Sequence, residues 1–401
     1  LKQVQTPTDL RFSQFQLTLA LSQNFSSELI SVSFSYELKI DELKIQMTIH
    51  NLIKRLSVKE SIDLNEWRYL EEMAFQDKRT ARAFGMTAKN VSEHLRLRSH
   101  LLQTVYPDFI QLCQTRFNQT PECQLGTLWN LWLPLAIWLA NRRQAQSRPF
   151  VQGILGGQGT GKTTLGTVLM LLLKHLGYQT LSLSLDDLYK TYGDRLQLQK
   201  QDPRLIWRGP PDTHDIELGI QILDQLRHPQ LNQPVAIPRF DKSLHGGAGD
   251  RIAPQAASNI DIVLFEGWFV GVRPINPSLL HHAPPPITTE ADRTFACDMN
   301  TRLHNYLSLW ERLDSLIVLY PTDYRFSKQW RKQAEQEMGA TGKARMSDAE
   351  IDAFVDYFWK ALHPELFIKP LVEIPGYADL VIEIDQNHEP GAIYRGGDRG
   401  Q

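Results

Sequence analysis

The run Val151-Gln152-Gly153-Ile154-Leu155 leads directly into Gly156-Gly157-Gln158-Gly159-Thr160-Gly161-Lys162-Thr163-Thr164, and this stretch decides the fold. The second part fills the pattern G-x-x-x-x-G-K-[ST] completely. Four of the six residues from Gly156 to Gly161 are glycine, so the backbone can turn until consecutive N–H groups converge on phosphate oxygens. Lys162 would reach the outer phosphates of a nucleotide and the Thr163 hydroxyl would bind Mg²⁺. After the loop, Leu165, Val168, Leu169 and Leu172 recur at helical spacing and Gly177 offers a stop. Strand, loop and helix N-terminus therefore stand in the order an anion cradle needs. A glycine-rich turn with an accidental lysine would lack that context.

Working outward, short β-branched runs alternate with longer helical patterns from Pro149 onward, as in a parallel α/β sheet. Strands are expected at Val151 to Leu155, Gln179 to Leu185, Ile260 to Phe265, Ser315 to Tyr320 and Asp379 to Ile384. Residues 37–145 read as mainly helical, with Leu70, Met73 and Ala74, then Leu101, Leu102, Val105 and Ile110, at helical spacing, while Ile45, Met47, Ile49, Leu52 and Ile53 mix periods. The basic stretch His94 to Arg98, with Arg79 and Arg82, reads as a solvated helix face. Residues 1–36 read as a poorly ordered tail, and the Ser- and Gln-rich, acid-poor residues 1–34 also have the texture of a transit peptide. The expected division is thus a tail over 1–36, a helical region over 37–145 and a catalytic α/β domain over 146–401.

With 43 basic and 45 acidic residues, the net charge of -2 leaves no polycationic field for nucleic acid, so any anion must be held locally. Three scattered cysteines, Cys113, Cys123 and Cys297, exclude a disulfide framework and read as buried or half-buried thiols of a reducing compartment. That points to the cytoplasm, or to a plastid stroma if the first residues are a transit remnant. The apolar run Leu131 to Leu139 contains Pro134 and is far shorter than the ~20 residues a membrane span needs. It reads as a core helix.

The second strand ends in Ser184-Leu185-Asp186-Asp187-Leu188-Tyr189, at the sheet edge where ligands gather in parallel sheets. Asp186 could orient and deprotonate an acceptor hydroxyl; the competing role for such an acid pair is a helix cap. The third strand delivers Glu266 to the same edge, where an acid normally manages Mg²⁺ directly or through water. Between those strands, Arg208, His214, Arg239, Asp241, Lys242 and Arg251 stand in loops suited to an acidic, hydroxylated substrate, with Asp187 and Tyr189 as further contacts. Beyond Tyr320, the basic helix with Arg331, then Gly339, Gly342, Lys343 and Arg345, suggests a closing lid that neutralises transferring phosphate. Ser347 and Glu350 form a capping box for the following helix, whose apolar face is Ile351, Phe354, Val355 and Phe358. No N-K-x-D guanine motif occurs, against a GTPase switch, and a non-catalytic nucleotide-binding scaffold would be expected to lack a base such as Asp186.

Taken together, GGQGTGKTT, SLDDLY, the Arg208-Gly209 to Thr213-His214-Asp215 segment, PRFDKS with Gly249-Asp250-Arg251, FEGWFVG, and Trp330-Arg331 running into Met346-Ser347 resemble the D-glycerate 3-kinase family. That family is close to phosphoribulokinase, uridine kinase and pantothenate kinase, and the resemblance spans about Leu128 to Arg395. The family's glycine-rich spacing near the first acceptor loop is here Gly209-Pro210-Pro211-Asp212-Thr213. The resemblance implies a P-loop kinase three-layer sandwich with a mostly parallel sheet, using ATP and Mg²⁺. It implies transfer to the 3-hydroxyl of D-glycerate in photorespiratory salvage, with Asp186 as base and Arg331 as a lid cation on phosphate. A nucleoside, pantothenate or ribulose phosphate acceptor would share the same loop and base and differ in the acceptor loops.

Overall fold

Strand β1 (Phe150–Gly156) is buried along all seven residues, which requires cover on both faces of the sheet. A computed structural model provides that cover; it describes residues 48–117, 120–229, 233–340 and 346–399. The expected tail and the residues Ile45 and Met47 lie outside the described residues, as do Gly342, Lys343 and Arg345 of the expected lid. The chain divides between Glu66 and Trp67. Of the smaller unit, a helix over 48–57 is described.

In the larger unit, helices α1 (Lys78–Ala83), α2 (Val91–Leu112) and α3 (Leu133–Gln144) precede β1. Helix α2 buries Val91, Leu95, Leu102, Val105 and Phe109, a stripe at helical spacing. After β1 come α4 (Lys162–His175), β2 (Thr180–Ser184), α5 (Tyr192–Gln201), α6 (Ile216–Arg227), β3 (Val235–Asp241), β4 (Asp250–Ala257) and β5 (Ile262–Gly267). Then follow α7 (Glu290–Arg302), β6 (Ser315–Pro321), α8 (Phe326–Ala340), α9 (Asp348–Ala361), β7 (Leu380–Ile384) and β8 (Pro390–Tyr394). Helices α2 and α3 pack on α4, so the N-terminal helices share the core that backs the phosphate loop. The run Leu131 to Leu139 is buried apart from Trp138 and lies within a core segment as expected. No described helix is long and apolar enough to cross a membrane.

The main sheet has the order β2-β5-β1-β6-β7-β8. Its first five strands are parallel, and β8 pairs antiparallel at the edge. All five expected strands are present. Because the chain leaves β1 toward β2 on one side and reaches β6 on the other, a topological switch falls at the carboxyl end of β1, where such sheets bind ligands. The register Ile154↔Glu266↔Ser184 brings the ends of β1, β5 and β2 level. A separate antiparallel ribbon, β3 with β4, replaces what the sequence presents as polar loops. Pro238 coincides with a register shift between Ile237 and Arg239, and β4 is exposed over most of its length; neither strand shows the alternation of a half-buried sheet.

Two local expectations fail. Arg98 is not on a solvated face: it is 4% exposed, with its guanidinium 5.2 Å from the Trp129 ring. Burial lowers its pKa to about 10, so it stays charged, held by the ring's negative face. Cys123 is exposed, while Cys113 is buried.

Candidate active site

The loop between β1 and α4 has the shape the motif requires. Gly159 and Gly161 adopt φ of +79° and +83°, a region that penalises any side chain. A Cβ on Gly159 would lie 2.6 Å from Cβ of Trp330, so the loop also packs too closely on α8 to admit one. The Lys162 ammonium donates to the Gly157 carbonyl at 2.9 Å, and Thr160 Oγ1 donates to the same oxygen at 2.9 Å. The ammonium and the hydroxyl thus converge on one carbonyl inside the loop. Thr163 is exposed on the first turn of α4, Thr164 is half-buried, and the buried Gln158 Oε1 has no partner among the described residues. These features fit a nucleotide phosphate chain on Gly156 to Thr164, with Thr163 exposed beside it.

Two rings outside the glycine-rich loop, His388 and Trp330, buttress it. His388 Nδ1 lies 2.9 Å from the Gly159 carbonyl, and its ring stacks on Trp330 at 4.7 Å. Trp330 stands in the Trp330-Arg331 motif, whereas His388, 229 residues from Gly159, carries no signal in the sequence.

Lys162 sits in a field of three charges. Burial lowers its pKa, opposed by the carboxylates of Glu266 and Asp186 and aided by Lys242. The expected base, metal acid and phosphate lysine are therefore brought together. The Asp pair is divided by the local fold. Ser184 caps the short helical turn Leu185–Leu188, and Asp187 completes a capping box by accepting from Ser184 N–H at 3.1 Å. Asp187 also accepts from Arg239 Nη1 at 2.8 Å. Of the two acids, Asp187 thus completes the cap and is taken up by its protein partners, and Asp186 is released. Its carboxylate meets Lys242 Nζ at 2.6 Å. Burial works against its ionisation, but Lys242 and the Tyr189 hydroxyl that bonds it hold its pKa below the usual carboxylate value.

Asp187→Ala is expected to cost about 1 to 3 kcal/mol of stability, since it removes a cap and strands Arg239. The check is an unfolding midpoint in denaturant, with turnover largely kept; a turnover loss as great as that of an Asp186 variant would contradict this division of roles.

Tyr189 is buried, and burial followed by the Asp186 charge keeps its hydroxyl protonated. Its ring stacks on His214 at 4.6 Å. His214 is not a cation: burial drives its pKa to about 3, and Nδ1 lies 2.8 Å from the Tyr306 hydroxyl. The loop that carries it is held by Gly209 N–H on Thr213 Oγ1, Asp212 N–H on Tyr306 Oη and Trp268 Nε1–H on the Gly209 carbonyl. At Gly209, with φ of +132°, a side chain would strike Phe358.

The other expected contacts are placed as follows. Arg239 binds Asp187, Gln255 and the Ser182 carbonyl. Arg251 donates to Asp215 at 2.9 Å and to the Tyr189 carbonyl at 2.7 Å. Asp241 caps the Ser243 turn. Arg208 donates to the Gly247 carbonyl at 2.6 Å and lies 5.8 Å from the Tyr189 ring centre. On α8, Arg331 is paired with Glu335 at 2.5 Å, so contact with phosphate would require that pair to open.

No family model matches the chain. A chloroplastic D-glycerate 3-kinase of Arabidopsis thaliana is 29% identical over 310 residues, covering 70% of this chain and 65% of the plant protein; the match thus spans just under two thirds of that relative. An uncharacterized kinase of Schizosaccharomyces pombe, mug58, is 30% identical over 232 residues, covering 55% of this chain and 82% of the yeast protein. Among solved structures, D-glycerate 3-kinase from Cryptococcus neoformans superposes with a TM-score of 0.58 at 27% identity, over 65% of this chain and 96% of that one.

Proposed function

The chain belongs to the D-glycerate 3-kinase family of P-loop kinases, and from that premise we propose that it transfers the γ-phosphoryl group of ATP to the 3-hydroxyl of D-glycerate, giving 3-phosphoglycerate. The observation that carries the proposal is the release of Asp186 from capping duty beside Lys162 and Glu266. Asp186, ionised at neutral pH, accepts the proton of the reacting hydroxyl. Lys162 leaves the Gly157 carbonyl for the phosphate oxygens and meets the charge that develops on them. Thr163 and Glu266 would hold Mg²⁺, which would supply divalent positive charge to offset the charge of the phosphate groups. Tyr189 holds the Asp186 carboxylate in place by its hydroxyl. The proposed setting is photorespiratory salvage in a reducing compartment, cytoplasmic or stromal, which fractionation of the source cells would check.

The acceptor is tested with Mg-ATP and a panel of D-glycerate, uridine and pantothenate. Expected is strong preference for D-glycerate, and a product consumed at once by a coupled assay for 3-phosphoglycerate. A site that pairs its polar groups with one substrate rejects analogues by ~10⁴-fold or more. Signal only after a phosphoglycerate mutase is added would assign the 2-hydroxyl, and turnover of uridine or pantothenate would move the acceptor to a neighbouring kinase type.

A further inference from the structure

The sequence offers five cations for the acceptor's carboxylate, and the structure leaves one. Arg239 is neutralised by Asp187 and Arg251 by Asp215. Lys242 is on Asp186, and His214 is uncharged. Arg208 has no carboxylate partner among the described residues, and its one hydrogen bond there, to the Gly247 carbonyl, uses one of five guanidinium N–H groups.

A second arginine adds to the same field. Arg195, on α5, spends its guanidinium on the carbonyls of Lys190, Ala248 and Gly249, and it too lacks an ion pair among the described residues. Both guanidinium groups lie over the Phe240 ring, at 5.3 Å for Arg195 and 5.6 Å for Arg208. They repel: burial and then the Arg208 charge lower the pKa of Arg195. Two like charges held close by carbonyls and a ring face, with the Asp250 carboxylate near enough to act on Arg195 but paired with His245 and in no ion pair with either arginine among the described residues, create an anion site. They line a cleft of about 310 Å³ with Trp207 and Thr213. By contrast, the cavity of about 60 Å³ beside the phosphate loop, lined by Gln158, Tyr324 and Trp359, has Glu365 as its one charged lining residue among the described residues and would repel an acid.

We propose that Arg208 binds the carboxylate of the acceptor through its free N–H fork, and that Arg195 is a positioning residue that raises the local potential and holds the Gly247–Gly249 turn. The Tyr189 ring links this site to the base, carrying Arg208 on its face and bonding Asp186 with its hydroxyl. A three-carbon hydroxy acid can then offer its carboxylate to Arg208 while its far hydroxyl lies at Asp186. This rests on the D-glycerate reading.

The test is steady-state kinetics of the full chain with D-glycerate, with D-glyceramide as the neutral analogue, and with varied ATP. Arg208→Gln should raise KM for D-glycerate on the order of 30-fold or more, leave KM for ATP unchanged and erase most of the preference for the acid over the amide. Arg208→Lys, which keeps the charge without the fork, should fall between. An Arg208→Gln protein that is folded and keeps its D-glycerate KM within about 3-fold, or whose losses fall equally on acid and amide, overturns the assignment while leaving the acceptor intact. A wild-type chain that does not phosphorylate D-glycerate overturns both.

Discussion

Replacing Lys162 by alanine is expected to reduce phosphoryl transfer by at least ~10³-fold while the chain stays folded, because one preorganised donor on a transferring group is worth that order. The structure says why stability should survive. Among the described residues the ammonium has one hydrogen bond, to the Gly157 carbonyl, and burial disfavours its charge in the substrate-free protein. Its removal relieves a desolvation cost and leaves the apolar stripe of α4, Leu165, Val168, Leu169 and Leu172, untouched. The check is kcat beside a thermal melt. An unfolded variant would say nothing of catalysis, so Lys162→Met, which keeps the apolar stem, is the companion. Near-normal turnover in either folded protein would remove the kinase mechanism.

Asp186→Asn is expected to lower kcat by about 10²- to 10⁴-fold with little change in KM for ATP, as for a base acting on the acceptor alone. The pH dependence adds a sign. Asp186 has its pKa held below the usual value, burial being outweighed by Lys242. The acid limb of kcat/KM should therefore lie below the ordinary carboxylate range and leave activity flat through neutrality. Lys242→Gln removes the cation at 2.6 Å and leaves burial unopposed, so the limb should move to higher pH. A limb that stays in place would show that Asp186 is not the titrating base. Full activity in Asp186→Asn with loss in Asp187→Asn would reverse the assignment within the pair.

What was legible in the sequence followed from strong local constraints. The phosphate loop needs glycines at positive φ, four of the five parallel strands are buried along most of their length and need near-continuous apolar runs, and the edge strand β2 alternates buried Leu with Thr and Ser. These leave plain marks. The β3–β4 ribbon left none, because Pro238, Pro254 and an exposed β4 break the alternation that marks a strand. Nor could composition divide Asp186 from Asp187: adjacent identical acids differ only in which one turns back to Ser184. The loop cations looked equivalent for the same reason. Arg208 was separated from Arg239 and Arg251 by partners dozens of residues away, and Arg195 sits in a polar helix that buries none of its residues, so its sequence carries no signal. Residue type alone offers His214 as a cation; burial against Tyr189 and Tyr306 decides otherwise.

The central claim is direct transfer of phosphate from ATP to a small hydroxy acid. It is tested most directly by following the full chain, Mg-ATP and D-glycerate by phosphorus NMR. The account predicts loss of the γ-phosphate resonance, matched by ADP and by a phosphomonoester coupled to the two protons of the terminal carbon. Unchanged ATP, or ATP consumed only to inorganic phosphate, would contradict it.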